Sequence, residues 1–474
     1  MKKTALLCTG ILMAGVFTLG CGASAAPALT PSVTQDMGGG AVYAYYDFEW
    51  NGSQKLFTIA CDPAAEGSEY EFVVHHISNG QGGYAASYVA DIATDFEEST
   101  GRKVLAATNG DFFMSASSGV GPVESYVKDG IVLNLGAYSW KHCFGFDNNG
   151  NTAIGRLDLN NTVVRLNVTS ADGSASQVFE IDAFNREPED GELAVYTNTG
   201  TFTVNGAAKY VIVAESANTT QYPVYGTSRR TVEGEVISDG SFTVSSGQYA
   251  IVVKGDNEIS RWLYENLYYG AQADIVRYPA GEFEGMEYVV GGWDILIEDG
   301  VVNEDCRTDT ENSGGVAAPR TFFGVKEDGT MVLCALDGRQ TGYSVGLTVQ
   351  EEAYLAEELG LVTAIELDGG GSTTFLLRQD DELTLMNSPS DATGARRVCN
   401  AVLLVEKEDA QDGEEDEDPP SQSGDGETTV PSGEDGQGGC AGAVGYGAGL
   451  GVPVLFAAGT GATIVFVRRK KKGN

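Results

Sequence analysis

From about Tyr43 to Val405 the chain is a succession of short apolar, β-branched runs cut by Gly, Asn and Asp. Examples are Glu71–Ile77, Lys103–Ala107, Gly130–Asn134, Thr162–Asn167, Tyr210–Val213, Tyr249–Val253, Met331–Leu336, Ala364–Leu367 and Ala401–Val405. Runs of this length bounded by turn formers predict strands. No helix-pair repeat of the kind that builds solenoids is present. Only two helices are legible. One begins at Thr348, whose hydroxyl can cap it while Glu351 closes the capping box. Val349, Ala353, Ala356 and Leu359 then repeat at helical spacing until Gly360. The other covers Tyr88 to Glu98. The pattern predicts an α+β fold of strand-rich mixed sheets with few helices: a single catalytic-sized domain over residues 26–407, with an inserted strand-rich lobe near residues 200 to 285.

The two ends predict where the chain resides. Met1-Lys2-Lys3, an apolar run from Ala5 to Leu19 and Ala23-Ser24-Ala25 compose a secretory signal peptide over residues 1–25. Thr18-Leu19-Gly20-Cys21 is a weaker lipoprotein signal, with Thr where a bulky aliphatic residue is usual. Residues 408–440 are an acidic stalk, since 408–439 hold twelve Asp or Glu and no Lys or Arg. Such a segment cannot bury enough apolar area to offset its ordering entropy. Ala441 to Val467 is 27 uncharged residues, enough to cross a bilayer. The basic tail of residues 468–474 fixes that end inside. The expectation is a single-pass cell-membrane protein with its folded domain extracellular.

Charge narrows the chemistry. With 29 Lys and Arg against 67 Asp and Glu, the net charge of −38 excludes a general nucleic-acid binder. Of the cysteines beyond the signal segment, Cys334 and Cys399 lie in apolar runs and read as inert buried thiols. Three histidines match no zinc pattern. His75 and His76, neighbours on a strand, point to opposite faces and read as structural.

Against this acidic background a few motifs stand out. Glu366-Leu-Asp-Gly-Gly-Gly-Ser-Thr-Thr374 delivers Asp368 into Gly369, Gly370 and Gly371, with Ser372 and Thr373 following. Glycines can turn main-chain N–H groups into one concavity that suits an anionic oxygen. Pro319-Arg320-Thr321, Asp337-Gly338-Arg339 and Arg396-Arg397-Val398-Cys399-Asn400 supply guanidiniums, whose planar fork matches phosphate or carboxylate. Asn109-Gly110-Asp111 ends a strand, and Asp111 could pair with Asp337 or Asp368 as the two carboxylates of a glycosidic cleavage.

Taken together, these motifs resemble the phosphodiester glycosidase family. The resemblance runs through Asn109-Gly110-x-Phe112-Phe113, Asp129-Gly130, Tyr196-Thr197, Gly291-Gly292, Asp299-Gly300, Pro319-Arg320-Thr321 with Gly324, Asp337-Gly338-Arg339, Ser344 to Gly346, Leu367 to Thr374, and Arg397 with Asn400. Asp111 departs from the family pattern, where a small residue is usual. The resemblance implies cleavage between a sugar's anomeric carbon and a phosphodiester, with a glycan phosphodiester as substrate. Arg320, Arg339 and Arg397 would then hold the phosphate with the Gly369–Gly371 turn, and Asp368 or Asp337 would act at the anomeric carbon. Asn109, Ser372, Thr373 and Asn400 would hydrogen-bond sugar or phosphate. The metal requirement stays open: a divalent cation among the carboxylates would ease the approach of an anionic substrate, but no cation motif is legible. The competing expectation is a non-catalytic surface module that binds phosphorylated glycans.

Overall fold

The computed structural model describes residues 26–408, except 80–82, 117–118, 137, 139, 205–208, 217–227, 232–239, 268–269 and 312. The expected signal segment, acidic stalk beyond Glu408, membrane anchor and basic tail lie outside the described residues, as does Cys440. No helix among the described residues is long and apolar enough to cross a membrane.

Strands dominate, as the turn-punctuated pattern predicts, and the described residues hold three α-helices: α1 (Val89–Thr100), α2 (Glu258–Asn266) and α3 (Val349–Glu358). The α+β expectation holds. In α3 the Thr348 hydroxyl accepts from the Glu351 amide, and the Glu351 carboxylate accepts from the Thr348 amide at 2.8 Å. Helix α2 was not anticipated. Its capping box uses Asn257 and Ser260, a weaker sequence signal than the Thr/Glu pair.

Two antiparallel sheets build the centre. One has eight strands, in the order Val33–Gly38, Ala41–Glu49, Ser53–Cys61, Met331–Leu336, Arg320–Lys326, Leu361–Glu366, Ile295–Glu298 and Val301–Val302. The other has five, in the order Glu382–Leu385, Phe375–Gln379, Val104–Asn109, Ala401–Glu406 and Tyr70–His75. Their inner faces share a core in which Phe72 packs on Phe323 at 5.1 Å and Phe57 on Phe375 at 6.1 Å. A second five-stranded sheet carries Tyr126–Lys128, Cys143–Phe146 and Tyr288–Gly291.

The lobe begins earlier than expected. Its eight-stranded sheet starts at Thr162 and ends with Gln272–Pro279. It has a core of its own, in which Leu166, Val195, Tyr249 and Ile251 pack with Leu263 of α2. The long stretch from residue 162 alternates apolar and polar side chains like its neighbours, so sequence alone had no composition shift to mark the boundary.

Candidate active site

The site forms where strand ends from the two central sheets meet. The strand Val104–Asn109 stops at Asn109, and the strand Leu361–Glu366 runs on into Leu367 and Asp368. The Leu367 amide donates to the Thr321 carbonyl at 2.8 Å and the Asp368 amide to the Gly110 carbonyl at 3.1 Å, which fixes Asp368 beside the Asn109–Asp111 turn. Asn109 is fully buried and spent on this joint. Its amide nitrogen donates to the Asp368 carbonyl at 2.5 Å, and its oxygen accepts from Thr321 Oγ1 at 3.1 Å and the Thr374 amide at 3.2 Å. Asn109 is thus a brace under the turn rather than a group presented to a ligand.

The glycine turn follows directly. Gly370 to Ser372 make one 3-10 turn, Gly370 at φ +64°, with the Gly370 amide on the Pro319 carbonyl at 2.9 Å. The Ser372 hydroxyl hydrogen-bonds the Asp368 carboxylate. Thr373 is buried, its hydroxyl accepting from Thr321 at 3.2 Å.

The arginines separate by burial. Arg320 is 4% exposed and consumed by the protein: Nε donates to the Leu347 carbonyl at 2.8 Å, Nη1 to Glu366 at 3.1 Å, and Nη2 to the Ser313 and Val316 carbonyls at 2.9 and 3.0 Å. Arg339 is exposed and held in the left-handed region at φ +61°; its amide donates to the Val345 carbonyl at 3.0 Å, while its guanidinium has no hydrogen-bond or ion-pair partner among the described residues. Its guanidinium lies over the turn, so that a Cβ placed on Gly370 would meet Nη1 at 3.1 Å. Arg397 turns to the ring of Tyr88, 5.0 Å from its centroid. Its neighbour Arg396 takes the place beside the turn instead, 3.5 Å from Ser372 Oγ and paired with Asp391 at 2.8 Å.

Asp337 is also set apart. Its carboxylate is buried and accepts from Asn387 Nδ2 at 3.0 Å, the Ser388 amide at 2.9 Å and the Tyr343 hydroxyl at 3.0 Å. Burial pushes its pKa up, and those three donors pull it back. A carboxylate so enclosed braces the loop around Asn387. Asp368 is half-buried and less supported. Burial pushes it up to about 6, with the charge of Glu366 adding to the rise and Ser372, Arg396 and Lys141 opposing it.

Three residues at the site escaped the sequence reading: Glu124, Lys141 and Trp293. Asp111 and Glu124 are buried together, and burial raises both, Glu124 to about 7. Lys141 is 4% exposed, its ammonium 3.8 Å from the Trp293 centroid and 4.7 Å from that of Phe112. Burial lowers its pKa, while Asp111, Glu124 and Glu366 raise it. Arg307 lies 3.7 Å from the same indole centroid, a cation–π contact. No motif marks these positions. Glu124 reaches Asp111 across the hairpin Phe113–Ala116/Gly119–Pro122, while the pairing of the strands Cys143–Phe146 and Tyr288–Gly291 brings Lys141 and Trp293 together.

Asn400 accepts the Asp111 amide on Oδ1 at 2.9 Å and is fully buried. His75 and His76 serve structure, hydrogen-bonding Asp95 at 2.8 Å and the Tyr126 hydroxyl at 2.9 Å. The five cysteines among the described residues are free and buried, Cys334 and Cys399 included. No cluster of three or more His, Cys, Asp or Glu among the described residues is arranged to hold a metal ion. An acidic concavity lined by Glu71, Asp147 and Glu287 lies apart and shares no residue with the group around Asp368.

Residues 198–405 match the phosphodiester glycosidase family model, and this stretch is a domain of that family. Asp368, the arginines and Asp337 fall within the match; Asn109, Asp111, Glu124 and Lys141 precede it. No curated protein matches the chain. Among solved structures, a hypothetical protein from Synechocystis is 19% identical with a TM-score of 0.47, over 81% of this chain and 64% of that one. The chain therefore spans less than two thirds of that protein. A protein of Burkholderia pseudomallei K96243, described as exported, is 19% identical with a TM-score of 0.41, over 74% of each chain. The catalytic domain of zebrafish N-acetylglucosamine-1-phosphodiester alpha-N-acetylglucosaminidase, auto-inhibited by its pro-peptide, is 15% identical with a TM-score of 0.37, over 81% of this chain and 85% of that one.

Proposed function

We propose that this chain is an exported, membrane-anchored hydrolase that cleaves the glycosidic bond of a sugar-1-phosphodiester in surface or extracellular glycans. The observation that carries the reading is one carboxylate beside one glycine turn: Asp368, half-buried and raised to about 6, lies next to a turn flanked by Arg339 and Arg396 within a phosphodiester glycosidase domain. The export and anchoring rest on the signal and stop-transfer patterns of the sequence.

A phosphomonoester is a good leaving group, so the main demand on the protein is stabilisation of charge rather than strong acid assistance. Arg339 and Arg396 receive the phosphate oxygens, Arg339 by the bidentate fork its unpartnered guanidinium leaves open. Asp368, ionised above about pH 6, faces the anomeric carbon as nucleophile or as base for water. Arg320 and Asp337 act through the scaffold: Arg320 holds Glu366 at the end of the strand that carries Asp368, and Asp337 holds the loop around Asn387.

The test is hydrolysis of an N-acetylglucosamine-1-phosphodiester by the purified chain, with the products identified by NMR. The expected products are the free sugar and a phosphomonoester. Asp368→Asn should abolish turnover while binding persists, because the amide keeps the size and removes the charge. Binding by the wild type without hydrolysis would favour a glycan-binding module, and cleavage at the phosphorus–oxygen bond would overturn the glycosidase reading.

A further inference from the structure

Asp111 and Glu124 are 1% and 4% exposed, yet Asp111 Oδ1 and Glu124 Oε1 have no hydrogen-bond partner. Asp111 Oδ2 accepts only the Glu124 amide, at 3.3 Å. Neither carboxyl has an ion-pair partner within 4 Å among the described residues; the nearest cation, Lys141, is engaged with the rings of Trp293 and Phe112. The packing is tight. A Cβ on Gly291 would lie 2.5 Å from Asp111 Oδ2 and 2.6 Å from Glu124 Cβ, and one on Gly136 would collide with Glu124 Oε2. Bare backbone at these two glycines is what admits the pair.

Two ionised carboxylates, each answered by a single backbone donor and each with one oxygen left bare, are strongly disfavoured in such a place. The group avoids that state by holding a proton. We propose that Asp111 and Glu124 share one proton across neutral pH, and that this pair positions the charge of the site on Asp368. The inference rests on the role given to Asp368 above. It separates acid from base: the environment keeps the proton on the inner pair and the negative charge on the outer carboxylate, the arrangement by which one site holds both forms at one pH.

The charged and titratable groups around the pair are few. Asp368, whose amide bonds the Gly110 carbonyl at 3.1 Å, opposes ionisation of Asp111. Lys141 favours ionisation of both carboxyls, and Arg156 that of Glu124. The thiols of Cys143 and Cys399 and the phenol of Tyr84 also face the pair; burial keeps all three protonated and neutral. Desolvation is the largest influence on either carboxyl. The charge of Glu124 also opposes ionisation of Asp111, so the proton is assigned to the pair.

Infrared difference spectroscopy reads the proton directly. Wild type minus Asp111→Asn/Glu124→Gln at pH 7 should show the carbonyl stretch of an un-ionised carboxyl, while the contribution of Glu352, buried elsewhere, cancels. In Glu124→Gln alone, Asp111 loses a like-charged neighbour, and its band should vanish at a lower pH than in the wild type. The single variants keep the test valid where the double one folds poorly. If no un-ionised band is lost in any variant, the shared proton is refuted.

A second readout addresses Asp368. With the pair's remaining negative charge removed, the acid limb of kcat/KM in the double variant should move down by about one pH unit. A loss of kcat that leaves the limb in place would mean a merely structural role and would overturn the positioning role. Absence of hydrolysis in the wild type would instead count against the glycosidase reading, with the infrared result still deciding where the proton sits.

Discussion

Two groups of buried acids lie on either side of Trp293, and they meet the cost of burial in opposite ways. In one, Glu366 stands between Arg307 and Arg320, and Asp294 pairs with Arg307 at 2.8 Å. In the other, Asp111 and Glu124 have no cation within ion-pair distance among the described residues and leave oxygens unpartnered. In the first group Glu366 and Asp294 are answered by guanidiniums, and it is Glu352, 3.9 Å from Arg320 and without a hydrogen bond on either oxygen, that burial pushes toward its protonated form. An unmatched acid keeps its proton. The same contrast divides the arginines: Arg320 has its donors taken by the scaffold, and Arg339 keeps its fork for a ligand. Residue type alone therefore does not identify a working group; the number of its donors or acceptors left over does.

The contrast can be broken by mutation. Arg320→Ala should have the largest effect, about 3–5 kcal/mol of lost stability, because it leaves buried Glu366 with Arg307 alone and strands three carbonyls in the interior; denaturant unfolding measures it. Arg339→Ala should leave the melting temperature within a degree or two while turnover falls by about 10²–10³, with Lys rescuing poorly. Near-normal turnover would remove Arg339 from the phosphate. Asp337→Asn should cost about 1–3 kcal/mol, since an amide N–H would then face the donors of Asn387 and Ser388.

The smallest effect is on the pH dependence of stability. Asp368 and Glu124 have folded pKa values raised to about 6 and about 7. The folded state binds their protons more tightly than the unfolded chain does, so their contribution falls as pH rises from about 4 to about 7. His75, buried and lowered to about 4, works the other way over part of that range. The difference between wild type and Asp368→Asn isolates the effect: the variant should lose less stability than the parent across this interval, and parallel curves would contradict the raised pKa of Asp368.

How far sequence could see follows the range of the interactions. The strand Met331–Leu336 and the cap of α3 were legible because apolar runs and capping boxes are local. The glycine turn beside Asp368 was legible because its residues are contiguous. The partition of Arg320 from Arg339 was not, since it depends on the carbonyls of Ser313, Val316 and Leu347 converging on one guanidinium. Arg396 and Arg397 exchanged places because neighbours on extended chain face opposite sides, and sequence gave no phase. Lys141 was invisible because it meets Trp293 through non-local strand pairing, and Glu124, although just across a hairpin from Asp111, sits in no motif that marks it.

The strand Ala401–Glu406 lies between Tyr70–His75 and Val104–Asn109, although it is the last strand of the described chain. Asn400, at its entrance, grips the Gly110 and Asp111 amides. A nascent chain must therefore leave a gap in the centre of that sheet until residues near 400 emerge, and closing it spans about three hundred residues, the kind of contact that forms slowly. The ordering of Asp111 is then among the final events of folding, so the emerging polypeptide passes through synthesis with the site around it unassembled.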